Sequence, residues 1–491
     1  MNKKRISPID ISPGDFRKMG YQLVDQVADF MGRITELQVT PGETPEQLQK
    51  VLGTGPLPEN GSPPEALLIR ATDLVVNHSL YNGHPKFMGY ITGAAAPIGA
   101  LADLLAASVN PNVGAQVLSP MATEIEKQTV KWLAEFIGVS NNYGGVLVSG
   151  GNMANFTGFL AGRTAKAPKE TKAEGISAAS HKMLVYCSKT THTWIEKAAF
   201  LFGLGLNAIR WIPADAHNKM DTSVLEKTIQ DDVQNGFLPI IVVGTAGDVS
   251  TGAVDDLRAI ASICKDYGIW FHVDGAYGIP AAVLPELKEM FDGIDAADSI
   301  ALDPHKWLYS PLEAGCTLVK DPNHLTATFS SHPVYYNFDS GEAVMQNYYE
   351  YGLQNSRGFR ALKVWLMLQQ VGRKGYAEMI SEDIRLSKLM YDLADAHEEL
   401  EAISHNLSIT TLRYIPAGFM NDSEEKATYL NTLNESLLNE LQKGGEVFLS
   451  NAVVMGKYCL RGCIVNFRTS EKDIEEIIEI ILKEGRKMSI Q

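Results

Sequence analysis

A chain of 491 residues, 45% hydrophobic and 21% charged, has the composition of a soluble globular protein and exceeds one ordinary core. Its 43 Lys and Arg against 58 Asp and Glu leave a formal charge of −15, which argues against nucleic acid or an anionic membrane as a partner. The basic start, Met1 to Arg5, precedes no signal-type apolar stretch, and the least polar run, 94–109, is broken by Pro97 and Asp103. Five cysteines make no disulfide framework, and Cys459 and Cys463 match no zinc spacing, so a cytoplasmic protein without metal or membrane span is expected.

The first predicted element is a helix over 14–36, where Phe16, Met19, Leu23, Val27, Phe30 and Ile34 recur at three- and four-residue steps. A connector over 40–64, rich in Pro, Gly and Glu, reads as a linker from an N-terminal arm to the main body. His84-Pro85-Lys86-Phe87-Met88-Gly89-Tyr90 comes next and leads into the small run Gly93 to Ala96. By themselves Phe87 and Tyr90 are ordinary core aromatics. At 119–126 a helix begins, with Ser119 or Thr123 as cap and Glu124 and Glu126 suited to the positive end of its dipole.

Val146-Leu147-Val148 is a strand, followed by Ser149-Gly150-Gly151-Asn152-Met153 and a helix. Glycines let the backbone approach an anion, and the free N–H groups of a helix start point at it. A second strand, 183–187, precedes Thr190-Thr191-His192-Thr193-Trp194, where a lone His is more often structural than catalytic. A third, 239–243, runs into the small-residue loop Gly244-Thr245-Ala246-Gly247-Asp248-Val249-Ser250.

Two further apolar runs end in His272-Val273-Asp274-Gly275-Ala276-Tyr277 and in Asp303-Pro304-His305-Lys306-Trp307. Such runs read as buried strands of a mostly parallel sheet, whose ligands gather beyond the carboxyl ends. An Asp and a Lys at one rim suit pyridoxal phosphate, where an amine joins the cofactor aldehyde and a carboxylate holds the pyridine nitrogen protonated. Taken singly, Asp274 is equally a helix cap and Lys306 a surface residue. Downstream, 325–356 is polar and rich in Tyr, and after a helix at 360–370 the pattern changes near Gly372. It becomes a helix near 377–397, strands at 407–414, 447–449 and 460–467, and a closing helix at 471–486.

The Asp274 and Lys306 signatures, in this order, resemble those of the fold-type-I pyridoxal-phosphate decarboxylases of the aromatic-L-amino-acid decarboxylase family, group II. The stretches at 84–90, 119–126, 188–198 and 461–466 resemble the same family. The resemblance implies an α/β fold: a large mixed, mostly parallel seven-stranded sheet domain (86–375), a small C-terminal α+β domain (376–491) and an N-terminal arm (1–85). It also implies a homodimer with its active site at the subunit interface.

Residue by residue, it makes Lys306 the cofactor-binding amine and Asp274 the partner of the pyridine nitrogen. His192 becomes the imidazole stacked on the ring and turned to the substrate carboxylate. Gly151, Asn152 and Met153 hold the phosphate, Met153 through its main chain only, with Ala276 and His305 close by. Asp303 stands where some relatives carry Asn, so its charge must point away from phosphate or be paired. Val249 stands where the family has Thr or Ser, leaving Thr245 or Ser250 to replace that contact. Phe87, Tyr90 and Gly93 belong to the substrate pocket, and the small residues at 93–96 and 114–115 leave room for a ring as large as indole.

Pro333-Val334-Tyr335 aligns with the family's mobile loop, which makes Tyr335 the proton donor and Tyr336 the alternative by one register step. The implied reaction converts an L-amino acid (Trp, Tyr, Phe or dihydroxyphenylalanine) to its amine and carbon dioxide. The alternative is a decarboxylating aldehyde synthase, which uses dioxygen and gives aldehyde, carbon dioxide, ammonia and peroxide. An aminotransferase would share Asp274 and Lys306 but need a C-terminal Arg for the carboxylate, Arg461 or Arg468. A cofactor-free relative fits poorly with Lys306, Asp274 and His192 all present.

Overall fold

In the computed structural model, residues 7–331, 345–420 and 423–489 are described. Seven apolar runs form one sheet: β1 (Gly144–Val148), β2 (Met183–Ser188), β3 (Ile209–Ile212), β4 (Leu238–Thr245), β5 (Trp270–Asp274), β6 (Ser299–Leu302) and β7 (Gly315–Val319). Their order is β1-β7-β6-β5-β4-β2-β3. The strands from β6 to β3 run parallel, and β7 lies antiparallel to both of its neighbours. This is the mixed, mostly parallel α/β sheet the sequence implies.

The strands are near-continuous apolar runs because both faces are covered. In β2, Met183, Val185 and Cys187 join one core with Phe159 and Trp270. Leu184 and Tyr186 join the other, with Leu225, Ile260 and Phe271. This is the two-residue alternation of a strand. Helix Gly151–Lys166 covers the first face at close range: a Cβ at Gly158 would lie 2.8 Å from the His272 ring, and one at Gly162 2.7 Å from that of Trp270.

A second sheet, β8 (Leu400–Asn406), β9 (Ile409–Tyr414), β10 (Ser450–Val454) and β11 (Lys457–Cys463), is antiparallel throughout in the order β10-β11-β9-β8. Helices Glu424–Gly444 and Glu471–Ser489 share its core. The expected strand over 407–414 is therefore the second arm of a hairpin whose turn is Leu407, in the left-handed region at φ 49°. The segment 447–449 forms no strand. Phe448 instead bridges to Phe87, and the strand begins at Ser450.

Helix Pro13–Arg33 starts on Ser12 as N-cap. The connector over 40–64 is not wholly irregular, since Thr44 and Gln47 form a capping box that starts helix Pro45–Leu52. Glu126 does not serve its helix dipole. It is fully buried and paired with Arg357 at 2.6 Å, and the two together bracket the Leu147 main chain. Among the described residues, no helix is long and apolar enough to cross a membrane.

Helix Ala361–Asp395 connects the two sheets and breaks at Gly372, where φ is 66°. Its Asp383 is buried and accepts hydrogen bonds from Trp307 Nε1 at 2.8 Å and from the Tyr309 hydroxyl. Burial, with Glu382 adding to it, pushes this carboxyl up to about 7. An acid whose folded pKa is raised binds more protons folded than unfolded, so its contribution to stability falls as pH rises from about 4 to about 7. Asp383→Asn keeps an acceptor and cannot ionise. Relative to this variant, the wild type should lose on the order of 1–3 kcal/mol between about pH 5 and pH 8. Thermal melts of both proteins at the two pH values check this, and a gap that does not move with pH rules out titration of Asp383.

Candidate active site

The carboxyl ends of β4, β5 and β6 stop level, with Thr245 opposite Asp274 and Asp274 opposite Ala301. Above them opens a cleft of about 660 Å³. Asp274, His192, Thr245, Ala276, Asp303, His305, Lys306, Gly151, Asn152, Met153 and Tyr90 all border it. The sequence distributes these residues over more than two hundred positions, and the parallel strands gather them.

Asp274 is the last residue of β5 and is nearly buried. Its Oδ2 accepts the Trp194 indole N–H at 2.7 Å, and its Oδ1 accepts the Ala276 N–H at 3.2 Å. Lys306 Nζ lies 3.1 Å from Asp303 Oδ2, and His305 Nε2 lies 3.7 Å from the same oxygen. Asp303 is thus ion-paired, which meets the electrostatic condition set by its position. Apart from this pairing, and among the described residues, neither Asp303 oxygen has a hydrogen bond of acceptable geometry, and neither does the Thr245 hydroxyl or the Arg461 Nε, though all four atoms are buried. Buried polar atoms are normally satisfied, so atoms left over beside a cleft mark a place for a polar ligand.

Helix Gly151–Lys166 begins at the cleft without a side-chain cap, leaving its first N–H groups without partners in the helix. The glycines there are required by space. A Cβ on Gly151 would stand 2.6 Å from Asp303 Oδ2, and one on Gly315 2.6 Å from the Gly150 Cα. This uncapped turn with open N–H groups suits a phosphate.

His192 is exposed on the cleft wall, and its Nδ1 accepts the main-chain N–H of Trp194 at 3.3 Å. His305 Nδ1 accepts the N–H of Ala314 at 3.1 Å. Each neutral ring therefore carries its proton on Nε2. Desolvation holds both imidazoles below the usual histidine range: Asp274 opposes it at His192 and Asp303 at His305, while Lys306 reinforces it at both.

The remaining candidates are placed differently. Phe87 is buried behind the wall, stacked on Phe448 with ring centroids 5.5 Å apart. Gly93 lies under the Lys306 loop, where a Cβ would stand 2.3 Å from the Lys306 carbonyl oxygen. Val249 lines the cleft but Ser250 does not; the Ser250 N–H is spent on Asp248. Tyr335 and Tyr336 lie outside the described residues.

Three sets of partners escaped the sequence reading. Trp194 stands within the His192 motif, yet nothing in the motif points to Asp274, 80 residues away. His272 is buried between Ser299 Oγ (2.7 Å) and Asn155 Oδ1 (2.8 Å), and burial pushes it down to about 4, so it stays neutral. Arg461 borders the cleft but donates to the carbonyls of Tyr90, at 2.6 Å, and Val249. Two of its donor groups are committed to holding the wall.

Comparison with known proteins gives the same picture. The pyridoxal-dependent decarboxylase conserved domain matches residues 45–413. The aromatic-L-amino-acid decarboxylase of Bacillus atrophaeus is 32% identical over 477 residues, spanning 97% of this chain and 96% of that protein. The phenylacetaldehyde synthase of Rosa hybrid cultivar is 28% identical over 482 residues, spanning 96% and 94%. The structure of Oryza sativa TDC with PLP and tryptamine superposes with a TM-score of 0.90 at 27% identity, covering 99% of this chain and 100% of that one. A strand end bearing Asp274 and a following loop bearing Lys306, an uncapped phosphate-type turn and a family match over three quarters of the length lead to one conclusion: the chain belongs to the pyridoxal-dependent decarboxylase family.

Proposed function

We propose that the chain uses pyridoxal phosphate to decarboxylate an aromatic L-amino acid (Trp, Tyr, Phe or dihydroxyphenylalanine) to the corresponding amine. The observation that carries this reading is the rim itself. Lys306 and a fixed Asp274 border one cleft with an uncapped helix start and a buried Thr245 hydroxyl that has no hydrogen-bond partner among the described residues. The similarity to the Bacillus atrophaeus enzyme supports the aromatic substrate.

In this reading Lys306 supplies the amine that anchors the cofactor, and Asp274 faces the pyridine nitrogen. The N–H groups at Gly151, Asn152 and Met153 hold the phosphate, with Ala276 and His305 beside it and the Thr245 hydroxyl as a further donor. When bound, the cofactor supplies the electron sink for the bond that breaks. His192, neutral and bearing its proton on Nε2, stacks over the ring and donates to the substrate carboxylate. Holding that group at a fixed angle selects the bond that breaks. Tyr90 and the small residues behind it wall the side-chain pocket, and Tyr335 returns a proton to Cα.

The same reading takes the protein as a cytoplasmic homodimer with the site at the interface, built of an arm (1–85), a large domain (86–375) and a small domain (376–491). Five buried, unpaired cysteines support a reducing compartment. Leu101, Leu104, Leu105 and Val109, all exposed on helix Pro97–Val109, support a covered face. A second reading, the decarboxylating aldehyde synthase, is favoured by the similarity to the Rosa phenylacetaldehyde synthase.

Incubating the purified protein with each amino acid and quantifying carbon dioxide, amine, aldehyde and peroxide tests the whole reading. Mostly amine supports it, mostly aldehyde replaces it with the synthase, and no carbon dioxide refutes both. Lys306→Ala should abolish turnover and the visible absorbance of bound cofactor. Persistence of that absorbance would show that another amine anchors it.

Tyr335→Phe should still release carbon dioxide, with product moving from amine toward aldehyde and oxygen uptake rising, because the phenol proton is gone and the ring remains. Clean amine from this variant would transfer the role to Tyr336.

A further inference from the structure

We infer that Trp194 is a positioning residue for the reaction, fixing both Asp274 and His192 through its two N–H groups. The inference rests on the reading above, in which those two residues face the cofactor.

Trp194 is 1% exposed, so it meets no ligand itself. Its ring is held edge-on by Phe159 (centroids 6.2 Å apart, 83° between planes) and by His272 (5.7 Å, 79°). An indole packed in this way has one direction left for its N–H, and that direction ends on Asp274 Oδ2 at 2.7 Å. With Oδ1 held by the Ala276 N–H at 3.2 Å, both carboxylate oxygens are pinned and the plane of the group cannot turn. Each oxygen keeps acceptor capacity for a ring N–H in the cleft. The main-chain N–H of Trp194 meets His192 Nδ1 at 3.3 Å and so sets the tautomer that presents Nε2–H. The indole is needed for its donor as much as for its bulk, since Phe would fill most of the space and leave Asp274 Oδ2 without this partner.

The test is Trp194→Phe in the holoenzyme, beside Asp274→Asn. For Trp194→Phe, kcat should fall about tenfold, the loss expected for one hydrogen bond to a charged group, with KM unchanged within about twofold. The dissociation constant of the apoprotein for pyridoxal phosphate should rise, and the pH midpoint of the cofactor absorbance should shift. A merely structural Trp194 would lower the melting temperature and leave kcat, the dissociation constant and the midpoint where they were, and that result overturns the inference.

If Trp194→Phe does not fold, wild-type protein labelled at the indole nitrogens replaces it. Of the six Trp indole N–H signals, one should move on adding pyridoxal phosphate to the apoprotein and again in Asp274→Asn. Six unmoved signals overturn the inference. Asp274→Asn with normal kcat refutes the underlying reading, whereas a crippled Asp274→Asn beside a normal Trp194→Phe refutes only the role of Trp194.

Discussion

The site depends on one register. Thr245, Asp274 and Ala301 lie in a row across three parallel strands, and the chain leaves the sheet just beyond each of them. A slip of one residue in β5 would send the Asp274 side chain to the opposite face of the sheet, away from helix Gly151–Lys166 and the Trp194 indole. Register in a sheet buried on both faces is set by which side chains fit each face. Small residues of that helix, Gly158 and Gly162, fit closely over His272 and Trp270. The packing of His272 and Trp270 under that helix therefore decides where the acid two residues on, on the same face, stands.

Lys306 is held by a different logic, because it sits on a loop rather than a strand. Trp307 stacks on Tyr277 at 5.1 Å and donates to Asp383, to which Tyr309 also donates. Tyr277 in turn hydrogen-bonds Ser408 at 2.7 Å, in the turn before β9. The residues just after the amine are thus tied to the inter-sheet helix and, through Tyr277, to the turn before β9, while Gly93 allows the chain to pass against the Lys306 carbonyl. Among the described residues, the amine itself is held only by its ion pair with Asp303.

These dependencies separate what the sequence discloses from what it hides. Asp274 and Lys306 were legible because each closes a short apolar run, and strand ends in a parallel sheet converge on one crevice. Gly151 was legible because its turn opens a helix. Local patterning names a residue's element and face, but not the partner across the fold. The pairing of Trp194 with Asp274, of Asn155 with His272 and of Glu126 with Arg357 each spans 80 residues or more. The same limit explains Phe87 and Tyr90. They are three residues apart in one motif, yet one stacks in the core on Phe448 and the other, turned by a positive φ of 51°, borders the cleft. Helix Glu424–Gly444 was missed because no chemistry-bearing motif drew attention to its segment.

The cleft must receive anions in an acidic protein. The protein carries −15 overall, and Asp274 and Asp303 both stand in the cleft, yet the ligands of this family bring a phosphate and a carboxylate. The cationic side chains are largely committed: Arg461 spends two donor groups on main-chain carbonyls and Lys306 is paired with Asp303. What remains is a set of neutral donors. His192 and His305 both spend Nδ1 on a main-chain N–H and are kept uncharged by desolvation, so each offers Nε2–H. The open N–H groups of helix Gly151–Lys166 do the same through the backbone. Donors of this kind recognise an anion by direction rather than by net charge. They hold an anion without adding a further charge beside Lys306 and Asp274.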